Sequence, residues 1–244
     1  MVEWFEGPKP VRFFTRLLTL ANLKSDSIVL DFFSGSATTA HAVMQLNAED
    51  GGNRKFIMVQ VPEKTDEKSE AYKAGYENIC EIGKERIRRA GQKIKEEKGL
   101  EAEDLDTGFR VLKLDSSNMK EVYYNPEAYE PDLFDSLTDN IKDDRSPEDL
   151  LFQVMLDLGV SLSSRITIRN AEFGMRNYSY FDVADGFLIA CFDKDVNEEV
   201  ITEIAKKKPF YFVMRDASMA DDSVATNFEQ IFETYSPQTV RKVL

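Results

Sequence analysis

The chain has 244 residues, 42% of them hydrophobic and 31% charged, which suits one large domain or two small ones. No apolar run approaches the roughly 20 residues that a membrane-spanning helix needs. The formal net charge of −13 argues against a free-standing DNA-binding protein, because lysine and arginine supply most of the affinity for phosphate. A single histidine, His41, excludes a metal site built from several histidine ligands.

The first residues and the two cysteines both bear on whether the protein is secreted. The opening sequence MVEWFEGPKP has no basic start, no apolar centre and no small-residue cleavage site, so it does not predict a secretory signal. Cys80 and Cys191 lie far apart and predict neither a disulfide framework nor a zinc site. We therefore expect a cytoplasmic protein that does not contact a membrane.

The first 115 residues alternate between helical and strand spacing of apolar side chains. Val11, Phe14 and Leu18 share one stripe of a helix, and Pro10 suits its first turn. The apolar runs IVLDFF and FIMVQV are typical of short buried strands. This spacing predicts helices at 8–22, 37–47 and 71–97, and strands at 28–33, 56–61 and 108–115.

A polar stretch separates this part from a second set of elements. Residues 116–145 are rich in Asp, Asn, Ser and Pro without a sustained period, so they predict a linker. After Ser146, the pattern predicts a helix ending at Gly159, a hairpin at 176–192 around Asp185-Gly186, helices at 198–207 and 224–235, and strands at 210–215 and 239–244. The predicted domains are therefore 1–115 and 146–244, both of α/β type.

The most informative segment is the strand, turn and helix of residues 28–47. Asp31 near a strand end, Gly35 in the turn and a helix N-terminus together predict a nucleotide-type pocket at the carboxyl edge of a sheet. The turn lacks the dinucleotide and Walker glycine patterns, which fits a nucleoside ligand without phosphates. Glu63 ends the next strand, where its carboxylate is placed to accept hydrogen bonds from both ribose hydroxyls. The alternative interpretation is an ordinary tight turn with a surface glutamate.

The sequence DFFSGSATTAHAV resembles the cofactor motif of DNA amino-methyltransferases, Asp-x-Phe-x-Gly-Ser-Gly-Thr-Thr. Lys9-Pro10 resembles the start of the helix that precedes this motif in the subclass with permuted order. The runs LNAEDGGNRKFIMVQVPE and GYENICEIGKERIRRA are similar to the modification subunit of Type III restriction systems. The resemblance is strong over 8–115 and less distinctive over 146–244. It implies the C-terminal portion of that subunit, with a partial Rossmann-like sheet followed by a smaller α/β domain.

The resemblance implies a site for S-adenosylmethionine in the first domain. Asp31 and Phe33 would border the methionine end of this cofactor, and Gly35 and Ser36 would present their backbone to it. Thr38-Thr39 would begin the helix after the turn. These assignments follow from the family motif and not from the spacing of the residues.

Three further positions complete the implied site. Glu63 would hold the ribose, and the helix that begins at Lys9-Pro10 would close the other side of the cofactor. Ala37 stands where the family motif has its second glycine, which costs little if its φ angle is negative but narrows the pocket by one methyl group.

Two groups of side chains near the motif have ordinary interpretations. His41, one turn into the helix, is predicted to be a packed or solvent-facing residue and not a ligand. Arg86, Arg88 and Arg89 lie on a helix rich in glutamate, so they predict a solvated, salt-bridged face and not a phosphate contact.

The family's catalytic loop, Asp-Pro-Pro-Tyr, does not occur in the sequence, which contains no adjacent prolines. In the permuted subclass, this loop and the target-recognition segment precede the Lys-Pro helix, and Met1 lies only a few residues before Lys9. We therefore expect a chain that lacks the catalytic half and does not methylate DNA alone. We also expect the strand at 28–33 to lack its neighbour and to be covered by a second copy or by the C-terminal domain, or to be poorly ordered.

The leading interpretation is a partial DNA adenine methyltransferase subunit that retains its cofactor-binding elements. The implied partners are DNA through the complete subunit, the restriction subunit and a second modification subunit. The alternative is a non-catalytic interaction module whose working part is the C-terminal domain. A complete methyltransferase with another substrate is disfavoured, because the chain has no catalytic loop.

Overall fold

The structure is a computed structural model that describes residues 9–120, 140–173, 176–219 and 222–244. It divides into two compact units, Met1–Val111 and Leu112–Leu244. Both units combine helices with strands, so the predicted α/β class is confirmed. Most of the stretch predicted as a linker lies outside the described residues. Within the described parts of the chain, no helix is long and apolar enough to cross a membrane.

The first unit contains a two-stranded parallel sheet. Ile28 of the first strand lies opposite Lys55 of the second, and Phe32 lies opposite Val59. A short 3-10 helix, Gly99–Ala102, follows the last α-helix. The described helices and strands of this unit are α1 Val11–Leu20, β1 Ile28–Phe32, α2 Thr38–Asp50, β2 Lys55–Val59, α3 Glu70–Lys73 and α4 Ile79–Lys98.

One face of this sheet is covered by helices. Val29 and Phe56 pack with Leu18 of α1 and with the apolar side chains of α2. Phe56 and Met58 also pack with Ile87 of α4 and its apolar neighbours. Because α2 contacts α1, α4 and β2, its first residues, 38–44, are all buried. This packing fixes the start of α2 directly after the carboxyl end of β1.

The opposite face of the sheet is apolar and exposed within the chain. The exposed fractions are 63% for Ile28, 58% for Leu30 and 65% for Phe32, and 49% and 51% for Ile57 and Val59 on β2. Parallel sheets are normally covered on both faces, so this surface is suited to burial against further polypeptide. The expected cover of this strand by another copy or by the second unit remains a prediction.

Two predicted elements of the first unit are wrong. The helix predicted at 71–97 is interrupted, because Gly75 adopts a φ of +91° after α3 and Asn78 caps a new helix through the Glu81 N–H. Residues 108–115 form no strand. The chain before Val111 packs on α4 instead, where Phe109 contacts the guanidinium of Arg88 at 5.6 Å.

The second unit contains a mixed five-stranded sheet in the order β3-β4-β5-β6-β7. The pairs β3-β4 and β4-β5 are antiparallel, and β5-β6 and β6-β7 are parallel. Its described helices and strands are α5 Pro147–Asp157, β3 Ile166–Phe173, β4 Arg176–Val183, β5 Leu188–Cys191, α6 Glu198–Lys206, β6 Tyr211–Met214, a 3-10 helix Asp216–Ser218, α7 Asp222–Tyr235 and β7 Val240–Val243.

Helices cover both faces of the second sheet. Phe212 of β6 packs with Ile201 of α6 and Phe232 of α7 on one face, while Leu151 of α5 packs beneath the other. Ile141 is buried in the latter cluster, so the described end of the polar stretch is part of this unit. The predicted hairpin around Asp185-Gly186 is confirmed by the antiparallel pairing of β4 with β5. Strand β3 was not predicted from the sequence.

Candidate functional site

The turn after β1 reverses the chain through an unusual backbone. Phe33, Gly35 and Ala37 have φ angles of 67°, 54° and 56°, so three of five consecutive residues are in the left-handed region. The N–H groups of Phe33 and Ser34 both donate to the carbonyl oxygen of Val59, at 2.8 and 3.2 Å. The turn is thus attached to the end of β2 and lies at the carboxyl edge of the sheet.

Gln60, the residue after β2, fixes the centre of this turn. Its Oε1 atom accepts a hydrogen bond from the Gly35 N–H at 2.8 Å, and its Nε2 atom donates to the Val61 carbonyl at 3.1 Å. The amide of Gly35 is therefore used within the protein. Gln60 was not predicted as a site residue, although a polar residue directly after a buried strand is a signal for the edge where parallel sheets carry their sites.

Asp31 and the threonines connect the strand to the next helix. The Thr39 hydroxyl donates to Oδ2 of Asp31 at 2.5 Å, which joins β1 to the first turn of α2. Thr38 and Thr39 are both buried, and the Thr38 hydroxyl lies 3.5 Å from that of Ser36. The structure thus places two hydrogen-bonded pairs in a polar cluster at the start of α2, Asp31 with Thr39 and Ser36 with Thr38.

Glu63 lies at the same edge of the sheet. Its backbone N–H donates to the Val61 carbonyl at 2.8 Å, and its carbonyl accepts from the Ile79 N–H at 3.0 Å. These bonds fix Glu63 between the end of β2 and the start of α4, while the residue remains exposed. An anchored backbone with an exposed carboxylate suits a group that accepts hydrogen bonds from a ligand.

Three further predicted site positions lie at the surface. Lys9 and Pro10 begin α1 and line an open cavity of about 650 Å³ with Arg12, Phe13 and Arg16. The described lining of that cavity includes no residue of the turn. Phe33 is 74% exposed, and its ring contacts that of Phe32 edge-on at 5.9 Å. The structure therefore does not bring Lys9 and Pro10 into a common described cavity with the turn.

Ala37 has the backbone conformation that disfavours a side chain. Its φ of +56° and ψ of 40° are left-handed, so the condition under which alanine would cost little is not met. Its methyl group is 2% exposed and packs in the core with Ile87 of α4. Alanine at this position thus combines backbone strain with favourable burial.

Replacing Ala37 by glycine is expected to leave stability within about 0.5 kcal/mol, since relief of roughly 1–2 kcal/mol of left-handed strain offsets the lost methyl burial and added chain freedom. The matched control is Ala40→Gly, at a fully buried helical position. That variant is expected to lose about 2 kcal/mol through helix propensity and burial. Urea unfolding of both variants checks this, and equal losses would contradict the strain at Ala37.

His41 is buried among the helices, as expected for a packed residue. It is 8% exposed, and its Nδ1 atom has no hydrogen-bond partner in the described part of the chain. Burial, reinforced by the positive charge of Arg86, lowers the pKa of His41 to about 4. The imidazole is therefore neutral at pH 7. Within the described residues, no group of acidic, histidine and cysteine side chains is arranged to hold a metal ion.

The three arginines of α4 do not form one solvated face. Arg88 and Arg89 pair with Glu85 at 3.7 and 2.7 Å, as predicted. The prediction is wrong for Arg86, because its Nη1 atom donates to the Ser36 hydroxyl at 3.0 Å. Burial lowers the pKa of the Arg86 guanidinium. Arg86 thus belongs to the polar cluster at the turn.

Comparison with known proteins shows which family the segment around this turn resembles. Residues 3–90, which include α1, the turn and Glu63, match the family model described as DNA methylase. This segment of the chain is thus similar to the DNA methylase family. The match includes every residue of the site described above.

Three relatives of the chain are Mod subunits of Type III restriction-modification enzymes. The chain is 45% identical over 106 residues to the Type III restriction-modification enzyme StyLTI Mod subunit of Salmonella typhimurium, covering 43% of this chain and 16% of that one. It is 49% identical over 89 residues to the EcoPI Mod subunit of Escherichia phage P1, covering 36% and 14%. It is 35% identical over 140 residues to the EcoP15I Mod subunit of Escherichia coli, covering 56% and 21%. The chain is thus a relative of Type III modification subunits and matches about a fifth of their length or less.

Proposed function

We propose that this chain supplies the cofactor-binding elements of a DNA adenine methyltransferase in a Type III restriction-modification system. The complete enzyme would transfer a methyl group from S-adenosylmethionine to the amino nitrogen of adenine. The observation that carries the proposal is the turn of residues 33–37, which is fixed beside Asp31 at the carboxyl edge of a parallel sheet within a DNA methylase segment. This is the position where open α/β sheets bind nucleotide-type ligands.

The residues at this edge fit a nucleoside cofactor without phosphates. Glu63 offers an exposed carboxylate for ribose hydroxyls, and Asp31 retains acceptor capacity beyond its bond to Thr39. When bound, the cofactor supplies an activated methyl group on its sulfonium. The residues that we propose to hold it are Lys9, Pro10, Asp31, Phe33, Gly35, Ser36, Thr38, Thr39 and Glu63.

The proposed partners follow from the relatives, which are Mod subunits of restriction-modification enzymes. We propose that the complete subunit binds DNA, a restriction subunit and a second modification subunit in the cytoplasm. We also propose that residues 1–115 form the cofactor-binding domain, that 116–145 connect the domains, and that 146–244 mediate subunit contacts. The missing Asp-Pro-Pro-Tyr loop implies that this chain alone does not methylate DNA.

A second candidate function is a non-catalytic interaction module of the same complex. The exposed apolar face of β1 and β2 favours it, because such surfaces mark protein contacts. In that case the turn would be a structural remnant and would not bind the cofactor. Measured affinity for S-adenosylmethionine separates the two functions.

Titration calorimetry of the purified chain with S-adenosylmethionine tests the proposal. We expect weak binding, because the edge of the sheet is open and encloses only part of the cofactor. Asp31→Ala and Glu63→Ala are each expected to weaken it about tenfold through lost charge-assisted hydrogen bonds. Glu67→Ala, an exposed glutamate of the same loop, is the matched control. No binding by the wild type would favour the interaction module, and binding unaffected by both variants would contradict this site.

A further inference from the structure

Helix α4 carries two residues that its amphipathic pattern does not explain. Its buried stripe contains Ile82, Ile87 and Ala90. By helical spacing, Gly83 and Arg86 fall on this same stripe and not on the solvent face. Glycine weakens a helix, and a charge on an apolar stripe costs desolvation, so both require a specific contact to be favourable.

Gly83 allows α4 to approach the backbone of the turn. A Cβ atom at Gly83 would lie 3.3 Å from the Gly35 carbonyl oxygen and 3.6 Å from the Ala37 methyl group. The neighbours of such an atom are the backbone and a core side chain, neither of which moves freely. The absence of a side chain at Gly83 therefore sets the distance between α4 and the turn.

Arg86 contacts the turn one helical turn further along. Its Nη1 atom donates to the Ser36 hydroxyl at 3.0 Å, and Ser36 is 5% exposed. The Nε atom of Arg86 is buried and has no partner in the described residues. Glu85, the adjacent carboxylate, pairs with Arg88 and Arg89 instead. Arg86 is thus a half-buried cation directed at the turn, without a carboxylate partner among the described side chains.

The turn itself holds a strained backbone that needs support from its surroundings. Its left-handed residues Phe33 and Ala37 persist only where neighbouring groups determine their conformation. Gln60 holds the Gly35 amide from the strand side, and Arg86 holds the Ser36 side chain from the helix side. The two contacts hold consecutive residues from opposite directions.

We propose that Arg86 is a positioning residue for the cofactor, acting through Ser36, and that Gly83 sets the distance between α4 and the turn. Arg86 keeps the backbone of residues 35–37 in the conformation that receives the cofactor, and so reduces the ordering that binding must otherwise impose. This inference rests on the proposed function, because the ligand of the turn is taken to be S-adenosylmethionine.

The test compares Arg86→Ala, Ser36→Ala and the double variant by calorimetry with S-adenosylmethionine. Each single variant is expected to weaken binding five- to tenfold. The double variant is expected to bind no more weakly than the single variant with the lower affinity, since both substitutions remove the same contact. Arg86→Lys retains a donor and is expected to recover affinity to within about threefold of the wild type. Arg88→Ala, which removes a Glu85 partner on the same helix, is the matched control and is expected to bind as the wild type does.

Amide hydrogen exchange of the unliganded chain provides a second readout. Arg86→Ala is expected to accelerate exchange at residues 35–39 at least tenfold, while exchange in the middle of α4 stays unchanged. A wild type that does not bind the cofactor would reject the proposed function, and the exchange result would still decide whether Arg86 orders the turn. Unchanged affinity in Arg86→Ala and Ser36→Ala, or unchanged exchange at the turn, would overturn the inference.

Discussion

Lowering the pH from 7 to 4.5 is expected to cost the first unit about 2–3 kcal/mol of stability through His41 alone. In the unfolded chain, this histidine takes up a proton near pH 6.5, whereas in the folded unit its pKa is about 4. Between these values the unfolded state binds more protons, so stability falls as the pH falls. The contribution is fully present above pH 6.5 and is lost by pH 4.

The physical cause is the position of His41 within α2. The side chain lies where α2 is buried, and desolvation is the largest cause of the lowered pKa. The charges of Arg86 and Lys93 lower it further, while Glu97 opposes them. No hydrogen-bond partner of Nδ1 exists within the described residues to stabilise the imidazolium.

Urea unfolding at pH 7.0 and 4.5 measures this effect. Hydrogen exchange of the α2 amides is the readout, so that the stability of the first unit is observed by itself. His41→Gln keeps a polar side chain without a titrating group. We expect the stability difference between the two pH values to shrink by about 2 kcal/mol in this variant. An equal loss in wild type and variant would show that carboxylates and not His41 govern the acid sensitivity.

The strand, turn and helix of residues 28–47 could be predicted because the signals for them are local. Strand-forming side chains, a glycine turn and helical spacing lie within twenty residues, and the structure places β1 and α2 accordingly. The close approach of Gly83 on α4 to Gly35 and Ala37 could not be predicted. Local sequence does not specify a contact between residues so far apart in the chain.

The prediction for Arg86 did not take into account its position on the buried stripe of the helix. Arg86 was grouped with Arg88 and Arg89 by composition, although helical spacing places it on the stripe of Ile82 and Ala90. The identity of its partner, Ser36, could not be predicted from spacing, because the two residues are 50 positions apart. A charged residue on an apolar stripe predicts a buried contact but not which residue makes it.

The strand predicted at 108–115 is wrong, and the strand β3 at 166–173 was not predicted. Both errors have one reason, which is that strands depend on their neighbours. The first segment alternates well but pairs with no described strand, and Phe109 packs on α4 instead. The segment β3 alternates only briefly before Arg169 and was missed. It is stabilised by pairing with β4 and by the ion pair of Arg169 with Asp182 at 2.7 Å.

The exposed apolar face of β1 and β2 bears directly on the central proposal. A parallel sheet with one covered face is an incomplete α/β layer, and Leu30 and Phe32 remain largely exposed within the chain. We propose that the catalytic segment of the family covers this face in the active enzyme. The same segment would bring the Asp-Pro-Pro-Tyr loop to the carboxyl edge, where Asp31 and Glu63 lie.

The largest expected effect concerns activity. The chain alone is expected to give no detectable methylation of DNA, because no residue in its sequence matches the loop that holds an extruded adenine. Without that loop, the amino nitrogen and the methyl donor are not oriented, and orientation supplies much of the rate of such a transfer. A polypeptide with the family's catalytic loop and target-recognition segment is expected to restore transfer when it is added.

Transfer of labelled methyl groups from S-adenosylmethionine to duplex DNA tests this account most directly. It is measured for the chain alone, for the added polypeptide alone, and for the two together with wild-type, Asp31→Ala or Glu63→Ala chains. We predict transfer only in the mixtures, at least tenfold slower with each variant than with the wild-type chain. Methylation by the chain alone at rates typical of enzymes, or full activity of both the Asp31→Ala and the Glu63→Ala mixtures, would contradict the account.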